Sequence, residues 1–138
     1  MYRKTIKYTD FNGNEREETF YFNLSKSECA KLELSTEGGL VEWARRMIQA
    51  QSGEEIINTF EKLVLMAYGE KSPDGRRFVK GENMELAKAF KETPAYDILF
   101  MELITNDETM AEFFNGVVGN DGPVITPEDA MKKLKETE

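Results

Sequence analysis

Between residues 2 and 22 most of the large apolar side chains fall on even-numbered positions. Tyr2, Ile6 and Tyr8 precede a polar turn, Phe20 and Phe22 follow it, and threonines and charged residues fill most of the positions between. Alternation with a period of two marks a strand with one buried face. Two such runs around Asp10-Phe11-Asn12-Gly13-Asn14 predict a β-hairpin. Parity then constrains the turn. The two even sets share a face only if paired positions sum to an even number, so the loop holds an odd number of residues. A two-residue Asn12-Gly13 turn would put Ile6 and Phe20 on opposite faces. A loop of about three residues, with Gly13 in or beside the left-handed position, keeps them together.

Beyond the hairpin the apolar spacing becomes helical. Ser25 with Glu28 three residues later is a capping box opening a short helix to about Leu34, and Gly38-Gly39 breaks it. Leu40, Trp43, Ala44, Met47 and Ile48 form a second helical stripe. Residues 54–68 form a third, with Ile56, Ile57, Phe60, Leu63, Val64, Ala67 and Tyr68 facing inward, acids in the first turn and Gly69 ending it. Residues 69–83 read as a polar connection, with a tight turn at Ser72-Pro73-Asp74-Gly75. A helix follows over residues 84–91. Thr93 as N-cap and Pro94 at the first helical position then open another over residues 94–105. This helix carries the run Ile98-Leu99-Phe100-Met101-Glu102-Leu103-Ile104, too broad for a single stripe, so it is either central to the fold or covered by a partner. Asn106 or Asp107 caps a further helix with Met110, Phe113, Phe114, Val117 and Val118. The fold class is therefore α+β, mostly α: an N-terminal β-hairpin packed beside a bundle of about five or six helices, a count set by these segment boundaries. Its core is expected at Ile6, Phe20, Phe22, Trp43, Ile57, Phe60, Leu63, Val64, Tyr96, Leu99 and Leu103. Residues 1–118 form the single globular domain. Gly119-Asn120-Asp121-Gly122-Pro123 starts a flexible tail, 119–138, with a thin helix after Thr126.

Charge and composition narrow the function. At 138 residues and 40% apolar the chain can build one core, and 26 acidic against 18 basic residues give a net charge of −8. That charge opposes direct binding to phosphate backbones. There is no histidine, which removes the commonest general base and every Cys/His or Ser/His arrangement, so no catalytic residue is assigned. The single cysteine, Cys29, cannot form an internal disulfide and reads as a buried structural thiol, consistent with a reducing cytoplasm. No signal peptide or membrane-spanning run is present, and no membrane contact is expected.

Two constellations favour bland readings. Asp10, Asn12 and Asn14 have the opening spacing of a calcium loop, but Glu15 stands where that loop needs glycine and Tyr21 where it needs glutamate. No metal or cofactor is assigned. Lys71, Arg76, Arg77 and Lys80 form the one basic island, better suited to an acidic protein surface than to nucleic acid. Six methionines besides the initiator, at 47, 66, 84, 101, 110 and 131, suit a surface that adapts to varied apolar clients, though core filling explains some of them.

The segment from Tyr68 to Lys80, Tyr-Gly-Glu-Lys-Ser-Pro-Asp-Gly-Arg-Arg-Phe-Val-Lys, is followed by Thr93-Pro94-Ala95-Tyr96 and the Leu99 to Leu103 run. With the Asn-Gly hairpin, the Phe20-Tyr21-Phe22-Asn23-Leu24-Ser25 exit and Gly38-Gly39-Leu40, these resemble the tail assembly chaperone family of siphophages over residues 2–118. The resemblance implies a non-catalytic protein made in the cytoplasm of an infected or lysogenic bacterium and absent from the mature virion. It would bind the helical tape measure protein, keep it soluble, and help recruit tail tube subunits. The family often has a longer, frameshifted form of the same chain as a further partner. The alternative, from another class, is a small acidic phage or prophage regulator that occupies a host nucleic-acid-binding protein. Ile98, Met101, Phe113 and Phe114 are assigned to the client surface. Lys71, Arg76, Arg77 and Phe78 are assigned to a separate partner loop, and self-association through the client surface is the competing use of it.

Overall fold

The computed structural model describes residues 1–35 and 53–119. Strands β1 (Tyr2–Thr9) and β2 (Glu15–Phe22) form the expected hairpin, with Ile6 opposite Glu18 and Thr9 opposite Glu15. Paired positions sum to an even number throughout, as the parity of the apolar residues requires. The turn is built around Asp10. Its backbone N–H donates to the Asn14 carbonyl at 2.9 Å, and its carboxylate Oδ1 accepts from the N–H groups of Asn12 and Asn14, each at 2.9 Å. The other oxygen, Oδ2, accepts from Arg16 Nε at 2.6 Å. Phe11, Asn12 and Gly13 are left as a three-residue loop, and Gly13 takes φ +82°, which only glycine adopts without strain. These bonds commit both carboxylate oxygens to the turn.

Helix α1 (Lys26–Ser35) opens with the reciprocal cap: Glu28 N–H donates to Ser25 Oγ at 3.2 Å, and Ser25 N–H to Glu28 Oε1 at 3.0 Å. Helix α2 (Gly53–Ala67) then leads directly into a strand. This is the main departure from the sequence expectation. Tyr68 does not end the helical stripe, and the stretch after it is not a simple connection. Instead β3 (Tyr68–Lys71) and β4 (Phe78–Val79) make a second hairpin, and among the described residues the sheet is four-stranded and antiparallel in the order β1-β2-β3-β4. Gly69 is needed because the Phe78 ring lies on it; a Cβ there would sit 2.5 Å from Phe78 Cε2.

A 3-10 turn (Glu82–Met84) precedes α3 (Glu85–Lys91), α4 (Pro94–Thr105) and α5 (Asp107–Val118), giving five α-helices among the described residues. No described helix is long and apolar enough to cross a membrane. The helices lie against the even face of β1 and β2. Aromatic rings tie the layers together: Phe22 meets Phe113 at 5.3 Å and Phe90 at 5.8 Å between ring centroids, and Phe90 stacks on Tyr68 at 4.4 Å. Ile6, Phe22, Phe60, Leu63, Val64, Tyr96, Leu99 and Leu103 are buried as expected, while Phe20 is half-buried against Phe90. Ile57 is a correction. It is 40% exposed although it shares the stripe of Phe60 and Val64, because it lies in the first turns of α2, ahead of the buried run that begins at Phe60. Trp43, the second helical stripe and the tail beyond Gly119 lie outside the described residues.

The sheet and α5 meet closely at Gly116. A Cβ there would lie 2.9 Å from Tyr2 Cβ and 3.3 Å from its Cα. Replacing a helical glycine by alanine ordinarily stabilises by roughly 0.5–1 kcal/mol. Here the sign reverses, because the obstacle is backbone that cannot rotate away. Gly116→Ala is expected to destabilise by about 1–3 kcal/mol, as overpacking does. Thermal and urea unfolding of the two proteins check this, and a stabilised variant would mean β1 is free to shift.

Candidate functional site

Helix α4 carries the broadest apolar surface. Thr93 caps it: its Oγ1 accepts from Tyr96 N–H at 3.4 Å and donates to the Phe90 carbonyl at 2.7 Å, joining α3 to α4 through a sharp corner. Pro94 occupies the first turn, where its missing N–H is harmless. Ala95, Tyr96, Leu99 and Leu103 face the core. Burial, helped by Glu61 and Asp97, pushes the Tyr96 hydroxyl up to about 12, so it stays protonated. On the side away from the core Ile98 is 43% and Met101 54% exposed, one turn apart. Phe100 and Ile104 are half-buried on the flank, with Phe100 stacked on Tyr96 at 5.6 Å.

The stripe continues beyond the helix. Phe11, 85% exposed at the tip of the first hairpin, and Pro94 line one groove of about 290 Å³ with Tyr8, Asn12 and Arg16. Pro94 lies one turn before Ile98. The apolar line therefore runs from Phe11 through Pro94 and Ile98 to Met101. Phe11 was legible in the sequence as a large apolar residue inside a polar turn, but alternation assigns turn residues to no face.

Phe113 and Phe114 are corrections. They are 1% and 0% exposed, so they do not belong to an outward client face. Helix α5 is buried over a wide arc that includes Met110, Ala111, Phe113, Phe114, Val117 and Val118, with Phe113 against Tyr2 at 5.1 Å. Of the two helices with excess apolar residues, α5 is the central one and α4 the one with a surface to spare.

The second hairpin presents the basic residues on a preformed loop. Ser72 Oγ donates to Asp74 Oδ1 at 2.6 Å and accepts from Arg77 N–H at 3.0 Å, while Arg76 N–H donates to Asp74 Oδ1 at 3.1 Å. The Ser72 and Arg76 donors hold the Asp74 carboxyl below its usual range. Gly75 adopts φ +75° to close the turn. Arg76 and Arg77 are exposed, Lys71 lies 4.4 Å over the Tyr21 ring, and Phe78 is half-buried over Gly69.

Lys80 departs from the island. Its Nζ turns inward and donates to the Glu28 carboxylate at 2.6 Å, the Met66 carbonyl at 2.8 Å and the Asn23 carbonyl at 2.9 Å. It thus joins α1, the end of α2 and the exit of β2. Burial raises the Glu28 carboxyl, but the Lys80 hydrogen bond and the Ser25 N–H outweigh it and leave the group below its ordinary 4.5. A depressed carboxylate contributes stability that is present above its unfolded value and lost as pH falls through its folded value. Unfolding free energy is therefore expected to decline below pH 4.5, and Glu28→Gln is expected to flatten that decline. Identical acid profiles for wild type and variant in urea titrations would remove Glu28 from the account.

Among the described residues no group of three or more acidic or cysteine side chains could hold a metal ion. Cys29 is half-buried, with its Sγ 3.8 Å from the Leu24 carbonyl. Compared with known proteins, residues 1–136 match a family model described as phage tail assembly chaperone. No curated protein and no solved structure matches.

Proposed function

We propose that this chain, which belongs to the phage tail assembly chaperone family, binds the tape measure protein through the outward stripe of α4 and keeps it soluble during tail assembly. Membership of a tail assembly chaperone family implies binding to tail proteins. The carrying observation for the surface is the pair Ile98 and Met101, exposed one turn apart on a helix that already has a complete inward face. An amphipathic client helix needs such an apolar track, and methionine adapts to varied side chains on it. The acidic surface of the chain, net −8 overall, would keep the complex dispersed.

The role is non-catalytic and is played in the cytoplasm of the infected bacterium, the chaperone being left out of the finished particle. Arg76 and Arg77, on their separate loop, would orient an acidic partner such as a tail tube subunit. A longer, frameshifted form of the chain would carry the same surfaces.

Co-expression with the tape measure protein tests this reading. Ile98→Asp and Met101→Asp are expected to fold with stability within about 0.5 kcal/mol of wild type, as exposed substitutions do. The tape measure protein should then move from the soluble fraction to the pellet. If both folded variants keep it soluble, the stripe is not its site. Molecular mass as a function of concentration, without client, separates client binding from self-association through α4.

A further inference from the structure

The outer edge of β1 is the longest unpaired backbone in the described fold. Hydrogen bonds alternate along an antiparallel pair, and the bond from Asp10 N–H to the Asn14 carbonyl assigns the even residues of β1 to β2. The next pairing has the same phase: Tyr21 lies opposite Gly69, and Asn23 N–H donates to the Ala67 carbonyl at 2.8 Å, so odd residues of β2 serve β3. Arg3, Thr5, Lys7 and Thr9 therefore direct their N–H and C=O groups outward, and no described residue bonds them there. All four side chains are exposed. Edges are usually shortened, bulged or covered. The opposite edge of this sheet, β4, has two residues, whereas β1 has eight without a bulge.

Charge and packing say what fits. Arg3 and Lys7 make the outer face of β1 cationic in a chain of net −8, and Lys7 is only loosely matched by exposed Glu17 at 4.0 Å. The two-fold antiparallel register that centres a second copy on the strand, with Thr5 opposite itself, sets Arg3 against Lys7, and like charges directly opposite repel. On the other face, Lys4 Nζ pairs with Glu102 at 2.8 Å and brings that flank of α4 under β1. Ile98 lies one turn before Glu102 on the same flank. A strand added to β1 would thus meet cations on one face and an apolar residue on the other.

We propose that the free edge of β1 takes up an extended segment of a tail protein in which acidic and apolar side chains alternate. The segment adds a fifth strand through the outward groups of Arg3, Thr5, Lys7 and Thr9, as edge-strand recognition does elsewhere. The inference rests on the chain binding tail proteins, not on the tape measure protein being the client.

The probe is a fluorescein-labelled peptide of alternating glutamate and valine, matched to β1 in length and followed by anisotropy with the full chain. It is expected to bind, while a scrambled peptide of the same composition and a lysine–valine peptide do not. Thr5→Pro removes one outward N–H and leaves the even-residue bonds to β2 intact, so it should abolish binding. Combined Arg3→Glu and Lys7→Glu should weaken binding at least about tenfold, through lost charge complementarity. The proposal is overturned if the scrambled peptide binds equally, if no peptide binds, or if folded Thr5→Pro retains binding. Should Thr5→Pro fail to fold, the charge-reversed variant decides. A concentration-dependent dimer that Thr5→Pro dissolves would give the edge to a second copy and also overturn it. The stripe on α4 and the edge of β1 are read by separate variants, so failure of one leaves the other standing.

Discussion

Lys80→Met is expected to destabilise the fold by about 2–4 kcal/mol, the scale for stranding a partly buried charge and its acceptors. The cation serves three acceptors in three segments: Glu28 on α1, Met66 in the last turn of α2, and Asn23 where β2 ends. Its side chain is 18% exposed and that of Glu28 37%, so water can replace only part of what the ammonium supplies. Methionine preserves the aliphatic stem and removes the charge, isolating the polar contribution from packing. Arg76→Ala and Arg77→Ala, from the same basic run, should each stay within about 0.5 kcal/mol, since both side chains are exposed. Urea denaturation of the three variants checks the contrast. Equal and small effects would mean that the Lys80 bonds do not hold in solution. A Lys80→Met, Glu28→Gln double mutant losing less than the sum of the singles would confirm that one interaction is being removed twice.

That contrast also marks a boundary of what the sequence discloses. Lys71, Arg76, Arg77 and Lys80 look alike as letters, and only the second hairpin sorts them, with the two arginines at the turn and Lys80 just past β4 on the side facing Met66. The second hairpin was itself hard to see. β4 has two residues and β3 four, too few for a period-two pattern, and β3 begins within what reads as the end of a helical stripe. The first hairpin was legible because it has eight residues per strand and a turn whose parity is checkable. The Ser25–Glu28 and Thr93 caps were legible for a related reason: each is a local bond between residues three apart and needs no tertiary knowledge.

The candidate site was half legible. Spacing identified two helices with more apolar residues than one stripe can hold, but not which helix the fold would enclose. That depends on neighbours far away in sequence, such as Tyr2 and Phe22 against Phe113. Met101 opposite the core and Ile98 on the flank beside Glu102 stayed outside because α4 meets β1 and the other helices through Ala95, Leu99, Leu103 and Tyr96.

Phe114→Ala is expected to destabilise the fold by about 3–5 kcal/mol, the range for truncating a buried phenylalanine. Phe114 is 0% exposed and its neighbour Phe113 1%, although consecutive helical residues point about 100° apart. Both can be buried only because α5 is packed on two sides, with Phe113 toward the sheet through Tyr2 and Phe22. A cavity there cannot close by moving the helix, since its C-terminal end is held by the Leu24 N–H bond to the Val117 carbonyl at 2.8 Å and by Gly116 against Tyr2. Phe114→Asp should prevent folding altogether, because it would bury an unpaired carboxylate. This bears on the functional test. Loss of client solubilisation by a Phe114 variant reports a collapsed core, while the same loss by a folded Met101→Asp reports a surface. Measuring unfolding free energy alongside client solubility separates the two. A Phe114→Ala protein as stable as wild type would place α5 at the surface and reopen Phe113 and Phe114 as client contacts.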